Sequence, residues 1–522
     1  MSSSTGSLRR SAGSLLIVVV VWELVGKLEL IAGGTFPPLS AIFGRLYDDR
    51  ADYPQHLAAT LRSAGIGFAV GSVIAIGCGI LFAQFKMLER IFRGVSITFF
   101  AVPLIVLVPV LLLAFQGTMP RIILAIIAVY FPVMVSTLIG VRDIDPRLAE
   151  VIRVSGGTDR DVMRFVRLRA ALPAIFAGLR VGGPGALLGV MLVEFGGGVR
   201  WGLGTYLLGS LGRGEPARLW GIGLLATMIA GISYGVFSWF GAYFLRTNLS
   251  TTVSMKASST TLDSDDRYTG LQRLVLGIAS FCTVLVLWSG ALRLMNLSPV
   301  VARGPVAVVR YLFTGARGAD ARDRLLSALG ETLPLAGIGL MFGLLAAFVL
   351  ALLLDLFPIV GSAFFPFALI SQSMPLPALT PLIVLVFGRS VLATVVVTFS
   401  VTFFPSYVTI AQALSSSPQG AIDVAESYGA RRLQVLRFIR LPQAIGSLLT
   451  AARLAAPRAL LGVMIAEYLA TGNGLGNLLN ESRGKLDYGM IWTVGAVSVT
   501  FAVLLTQIIS KLERQIGRKF LV

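Results

Sequence analysis

The chain has 522 residues, of which 55% are apolar and only 13% charged, with a formal net charge of +18 and a mean hydropathy of +0.82. Soluble domains carry about 25% charged residues, so this balance excludes a soluble globular protein, and recurring apolar runs of roughly 20 residues match a bilayer core. The basic residues sit in loops between apolar runs, as the positive-inside rule requires, which excludes nucleic acid as the partner.

In chain order, residues 1–13 form a polar tail with Arg9 and Arg10, assigned to the cytoplasm. No small-residue cleavage pattern closes the apolar run that follows, so it reads as the first spanning helix, about 14–32. Glu23 and Lys27 lie on it four residues apart and can pair on one face. An outer loop follows, then helix two (about 60–85) and an inner loop marked by Lys86, Arg90 and Arg93. Helix three (about 95–115) contains Pro103 and Pro109, which a spanning helix tolerates when neighbours satisfy the freed carbonyls. Helices four (about 122–141), five (about 175–195) and six (about 219–245) complete the first half, 14–245, with a glycine-rich outer loop between the last two. Residues 246–270 are rich in Ser, Thr and Asp and read as a flexible cytoplasmic linker. The plan then repeats over 271–510: helix seven (about 271–292), eight (about 332–354), nine (about 360–387), ten (about 391–414), eleven (about 445–469) and twelve (about 490–509). A basic cytoplasmic tail, 511–522, ends the chain. Arg293, Arg303, Arg310, Arg317, Arg322 and Arg324 fall in a loop placed outside, against the usual charge bias. Cys78 and Cys282 lie within apolar runs, so no disulfide framework is expected, and the single histidine, His56, cannot build a histidine metal cluster.

Two polar segments interrupt the apolar plan, 150–173 and 423–442. Each carries an acid (Glu150, Asp423), a glycine break (Gly156 followed by Gly157; Gly429) and a basic run (Arg160, Arg164 and Arg167; Arg431, Arg432, Arg437 and Arg440). The differences 423 minus 150, 429 minus 156, 437 minus 164 and 440 minus 167 all give 273. The repeat extends further. Pro103 and Pro109 match Pro375 and Pro381 at 272, Phe131-Pro132 matches Phe404-Pro405 at 273, Glu194 matches Glu467 at 273, and Gly202 to Gly204 match Gly474 to Gly476 at 272. Trp22 and Lys27 have counterparts in Trp288 and Arg293. Parallel halves of this kind imply a pseudo-two-fold axis along the membrane normal with a pathway between them. The fold expected is all-α and polytopic, with about twelve transmembrane helices in two homologous six-helix halves. A charged helix-turn-helix that recurs between apolar helices reads as a docking element for a soluble motor. Its acid would complement a helix start, and its glycine would permit the turn.

At these segments the sequence resembles the permeases of bacterial ABC importers, whose cytoplasmic motif is written EAA, then a glycine, then a basic stretch ending in leucine-proline. Asp423, Ala425, Gly429, Leu441 and Pro442 fit it, as do Glu150, Gly156, Leu168 and Pro173. Val151-Ile152 stand where alanines are usual, and Asp423 stands for glutamate. Pro375 to Pro381, Phe403 to Pro405, Ala466-Glu467 and Gly474 to Gly476 resemble the sulfonate, taurine and nitrate branch. Members of that branch are usually single halves that dimerise, so a fused pair is a variation. The resemblance implies a cytoplasmic ATPase dimer, a substrate-binding protein outside, the inner membrane of a bacterium with its lipids around the chain, and alternating access for a small polar solute, an organic anion or a small heterocycle. It implies no catalysis and no cofactor on this chain. ATP and magnesium belong to the ATPase, in line with the missing G-x-x-x-x-G-K-[ST] phosphate loop.

Several residues have two readings. Ionisable groups at membrane depth are costly; Glu194 and Glu467 either serve a pathway or gate, or accept hydrogen bonds from the glycine-rich turn that follows each of them. Pro103, Pro109, Pro375 and Pro381 are either helix breaks at a gate or tolerated kinks. Arg180 and Arg453 lie about 21 Å from the glutamates at 1.5 Å per residue and read as inner-end residues that snorkel. The rival function is a secondary transporter driven by an ion or proton gradient, with Glu23, Glu194 and Glu467 as coupling acids. That reading leaves the duplicated docking segment unexplained. A membrane-embedded enzyme would need a cluster of His, Cys or paired acids at one depth, which the sequence lacks.

Overall fold

In a computed structural model the described residues are 19–197, 199–245, 270–294 and 298–520; the linker expected at 246–270 lies almost wholly outside them, as does the N-terminal tail. The first half contains α1 (residues 19–27), α2 (Leu39–Asp48), α3 (Tyr53–Gln84), α4 (Lys86–Ala101), α5 (Leu104–Ala114), α6 (Met119–Arg142), α7 (Pro146–Val154), α8 (Asp159–Phe195), α9 (Leu203–Arg213) and α10 (Pro216–Leu245). The second half repeats the order with α11 (Gly270–Leu294), α12 (Pro305–Phe313), α13 (Gly318–Leu356), α14 (Pro358–Ser373), α15 (Leu376–Phe387), α16 (Val391–Ser415), α17 (Gln419–Ser427), α18 (Arg432–Leu469), α19 (Gly474–Gly484) and α20 (Tyr488–Phe520). Among the described residues, 8 helices are long and apolar enough to cross a membrane: α3, α6, α8, α10 and their counterparts.

Three expectations need correction. The spans expected as helices three and nine are each two helices, α4 with α5 and α14 with α15. The residue before a proline is pushed out of the helical region. Val102 (ψ 120°) and Met374 (ψ 124°) are extended for that reason, and Pro103 and Pro375 cap the helices that follow. The outer loops are not loops throughout: α2 and α12 lie in them, with Phe43, Tyr47, Val309 and Phe313 exposed. Helix five begins at Asp159 and helix eleven at Arg432, so the second limb of each docking segment is continuous with a spanning helix. A π-helical turn marks the join in both copies, Val162–Arg167 and Leu436–Arg440.

Within each half α6 or α16 packs between two long helices, and the same positions bring them close. An added Cβ at Gly67 would collide with Ala125, and one at Gly339 with Thr398. Close approach through small residues supplies the van der Waals contact that association in lipid depends on. The indole of Trp220 donates to the Thr35 carbonyl (3.1 Å) and Trp22 packs edge-on against it; Trp492 donates to the Val301 carbonyl (2.8 Å) and stacks on Trp288. The repeat therefore holds at the level of single contacts. The halves also interlock. The last span of each, α10 or α20, packs against the broken helix pair of the other, and α11 crosses onto α4. Ile105, Val106 and Val108 of α5 share one core with Leu460 and Val463 of α18, while Ala378 and Leu382 of α15 share another with Leu187 and Met191 of α8. The broken helices form the seam between the halves.

The expected Glu23–Lys27 pair is present at 3.1 Å. Two of the six arginines of the long loop are used in place: Arg324 pairs with Glu481 at 3.2 Å, and Arg322 donates to the Leu312 carbonyl at 2.6 Å. Lys485 first, and Arg324 with it, holds the Glu481 carboxyl below its ordinary range. At the mouth of α10, Arg218 grips Asp49 through two hydrogen bonds of 2.6 and 2.7 Å. That grip holds the Asp49 carboxyl below its ordinary value. A depressed carboxylate contributes stability that is fully present above the unfolded-state pKa and is lost as pH falls through the folded one. Asp49→Asn is expected to lower thermal stability at pH 7, by an amount that shrinks as pH falls and vanishes only below the depressed folded-state value, read as melting of the detergent-solubilised chain.

Candidate functional site

The docking segments are built by the same local device twice. Asp145 accepts the Arg147 N–H at 3.0 Å and caps α7. At the other end Gly156 has φ +83°, its N–H reaches the Arg153 carbonyl (3.0 Å), and the Gly157 N–H reaches that of Ile152 (2.9 Å). This is the Schellman pairing, in which a left-handed residue after the helix satisfies its last carbonyls. Gly429 has φ +79° and repeats the pairing for α17: its N–H meets Glu426 at 2.9 Å and that of Ala430 meets Ala425 at 3.0 Å. The next helix then starts with its own cap. Asp161 accepts the Thr158 N–H (2.8 Å), and Gln434 accepts the Arg431 N–H (2.7 Å).

The structure brings Glu150, Gly156, Gly157 and Arg160 to one corner and Asp423, Ala425, Gly429, Arg431 and Arg432 to another; all are exposed except Gly157 and Ala425, which are half-buried. The acids do not serve the helix starts. Glu150 and Asp423 sit in the middle of α7 and α17, and no acid occupies either first turn; Asp423 instead accepts from Gln419 at 3.0 Å. Sequence reasoning weighed the arginines and missed the apolar side chains between them. Val151 is 62% exposed and its counterpart Val424 59%; Phe165 is 46% exposed and Phe438 69%. Both pairs stand at the offset of 273. Exposed apolar groups rimmed by polar ones mark interaction surfaces, and their duplication was readable in the sequence.

At the opposite ends of α8 and α18 the glycine-turn reading of the two glutamates is realised. Glu194 and Glu467 are fully buried. Glu194 accepts from the Gly204 N–H (3.0 Å) and from Thr60 Oγ1 (2.8 Å); Glu467 accepts from the Gly476 N–H (2.9 Å) and from Thr332 Oγ1 (2.8 Å). The same threonines accept from Leu203 N (2.9 Å) and Leu475 N (2.8 Å), so each glutamate and threonine clamp the turn into α9 or α19. Among the described residues, only the first-half clamp has a cation. Arg121 reaches Glu194 at 3.2 Å, whereas the matching position in the second half is Thr394. From α19, Arg483 donates to Tyr468 Oη (2.7 Å) and to the Gly196 carbonyl of the first half, closing the seam at this end. Pro103, Pro109, Pro375 and Pro381 are all buried along the seam. Arg180 and Arg453 do not snorkel: Arg453 pairs with Glu513 of α20 at 3.1 Å, and Arg180 lies over the Tyr234 ring. No group of His, Cys, Asp and Glu among the described residues could hold a metal ion.

Comparison with known proteins places this geometry. The family described as binding-protein-dependent transport system inner membrane component matches twice, over residues 71–251 and 339–518. A probable ABC transporter permease of Haemophilus influenzae is 26% identical over 232 residues, 44% of this chain and 90% of that protein. The formylaminopyrimidine transport permease of Halalkalibacterium halodurans is 29% identical over 208 residues, 40% of this chain and 80% of its own length. The taurine transport system permease of Escherichia coli is 28% identical over 180 residues, 33% of this chain and 66% of its own length. No solved structure matches. Relatives of this size correspond to one half each, and the duplicated corners and clamps belong to two copies of one permease. The chain belongs to the family of binding-protein-dependent transport system inner membrane components: it is an ABC importer permease, working with a separate ATPase and a substrate-binding protein, in which two permease halves are joined in one polypeptide.

Proposed function

We propose that the corners at 150–173 and 423–442 are the coupling sites, each seating on one subunit of a cytoplasmic ABC ATPase dimer. Glu150, Gly156, Gly157 and Arg160 form one, and Asp423, Ala425, Gly429, Arg431 and Arg432 the other. The observation that carries this reading is the duplicated exposed apolar pair, Val151 with Phe165 and Val424 with Phe438; Phe165 and Phe438 stand on the helices that run on into the spans, and Val151 and Val424 on the short helices before them. A movement imposed at either corner is carried along α8 or α18 to the clamped turns at Glu194 and Glu467. The prolines of the seam supply the breaks about which the halves part, so that a small polar solute, an organic anion or small heterocycle, passes between them by alternating access. On this reading the chain lies in the bacterial cytoplasmic membrane, embedded in its lipids, with both termini and the linker 246–270 in the cytoplasm.

The test is uptake in proteoliposomes holding the chain, its ATPase and its binding protein. Transport is expected to require ATP hydrolysis and to continue when the proton gradient is collapsed while ATP is maintained. Accumulation by the chain alone under a pH gradient would instead establish a secondary transporter.

A further inference from the structure

One arginine inside a span is taken up neither by the coupling reading nor by the pairs described above. Arg458 lies within α18, five residues beyond Arg453 and nine before Glu467. Its neighbour Arg453 is neutralised by Glu513 at 3.1 Å. Arg458 makes no ion pair or hydrogen bond with any described residue, and no carboxylate is near enough to act on it. A guanidinium cannot shed its proton, so this position carries a full positive charge at membrane depth, where charged groups line pathways or find partners.

Where the charge points follows from the residues around it. Ala455, Ala456, Pro457, Ala459, Leu460 and Leu461 are buried. At 3.6 residues per turn they flank Arg458 on both sides of its own face, α13, α16, α20, α15 and α5 pack on α18, and the guanidinium is enclosed by protein on all sides. Lipid therefore does not reach this turn. Yet Arg458 is half-exposed, the only accessible residue from 455 to 468, so its side chain opens into an internal space. One turn toward the docking end Leu454 is also half-exposed, and so are residues 445–450; the accessible face stops at Arg458. Beyond it the seam is closed by Arg483 on the Gly196 carbonyl. In the first half the matching position is Gly185, so the repeat supplies this charge once.

We propose that Arg458 is the anion-recognition position of the solute path, where its guanidinium fork takes a compact oxyanion group of the carboxylate or sulfonate kind. The proposal rests on the importer reading for the word solute. Its chemistry rests on the unpaired fork, which matches such groups through two parallel hydrogen bonds.

The test uses the full chain alone in lipid nanodiscs, with the arginine reagent p-hydroxyphenylglyoxal and residue-resolved mass spectrometry. Arg458 is expected to react faster than the ion-paired Arg453. Methanesulfonate is expected to protect it, whereas dimethyl sulfone, its uncharged isostere, requires a concentration about tenfold higher or more, the discrimination one charge-assisted hydrogen bond supports. An unreactive Arg458, equal protection by both compounds, or equal protection by chloride and methanesulfonate overturns the proposal. No ATPase is present in the assay, so failed coupling leaves this result untouched, and failed protection leaves the coupling sites standing.

Discussion

Replacing Gly429 with valine is expected to leave the chain in the membrane at wild-type levels and to cut recovery of the ATPase by about tenfold. The physical reason is confined to the backbone. Gly429 holds φ +79°, and an added Cβ would meet nothing within 4 Å, so no packing is disturbed. A β-branched residue is strongly disfavoured at positive φ, and a strained position of this kind costs on the order of 1–3 kcal/mol. The chain escapes that strain by giving up the Schellman turn, which re-aims Arg431 and Arg432 away from the Val424 and Tyr428 side of the corner. Gly156→Val is expected to act equally. Gly157 does not relieve it, because its own N–H is already committed to the Ile152 carbonyl at 2.9 Å. Pull-down of the ATPase with each variant, beside Cys282→Ala, reads the effect. Full recovery and full transport in both glycine variants would remove these corners as the coupling site.

The repeat made most of this fold legible. Constant spacing picked out the two polar segments, the prolines of the seam and the glutamate turns, because each is a device both halves need. What it could not convey is where a repeated device sits in its helix. Glu150 and Asp423 looked like dipole partners of a helix start, but α7 and α17 begin four residues earlier than each acid, a boundary set by Asp145 and by Pro418. Helices three and nine looked continuous because their hydropathy is continuous; the pre-proline backbone breaks them all the same. Two arginines that went unread share another property. Arg121 answers to Thr394, and Arg458 answers to Gly185. Searching for agreement between the copies passes over such positions, yet a path serving one solute has no need of symmetry. A charge present in one copy and absent from the other was the available signal.

That asymmetry gives matched substitutions unequal consequences. Glu194→Gln is expected to destabilise the chain by about 3–5 kcal/mol, the cost of leaving a buried charge without its partner, because Arg121 is itself buried and loses the carboxylate at 3.2 Å. It keeps only the Trp201 carbonyl at 2.9 Å. Glu467→Gln removes no partner from any cation among the described residues. Its amide oxygen still accepts from Thr332 and from the Gly476 N–H, so the loss is no more than one ordinary hydrogen bond, about 1 kcal/mol. Adding Arg121→Thr to Glu194→Gln places a threonine where the second half already has one and removes the stranded charge. The double variant is therefore expected to recover more than half of the loss, the non-additivity that coupled neighbours show. Thermal unfolding in detergent, followed by tryptophan fluorescence, reads all three chains. Equal losses for Glu194→Gln and Glu467→Gln, with no recovery on adding Arg121→Thr, would mean that the ion pair contributes nothing and that the clamp is held by the threonine and the glycine N–H alone.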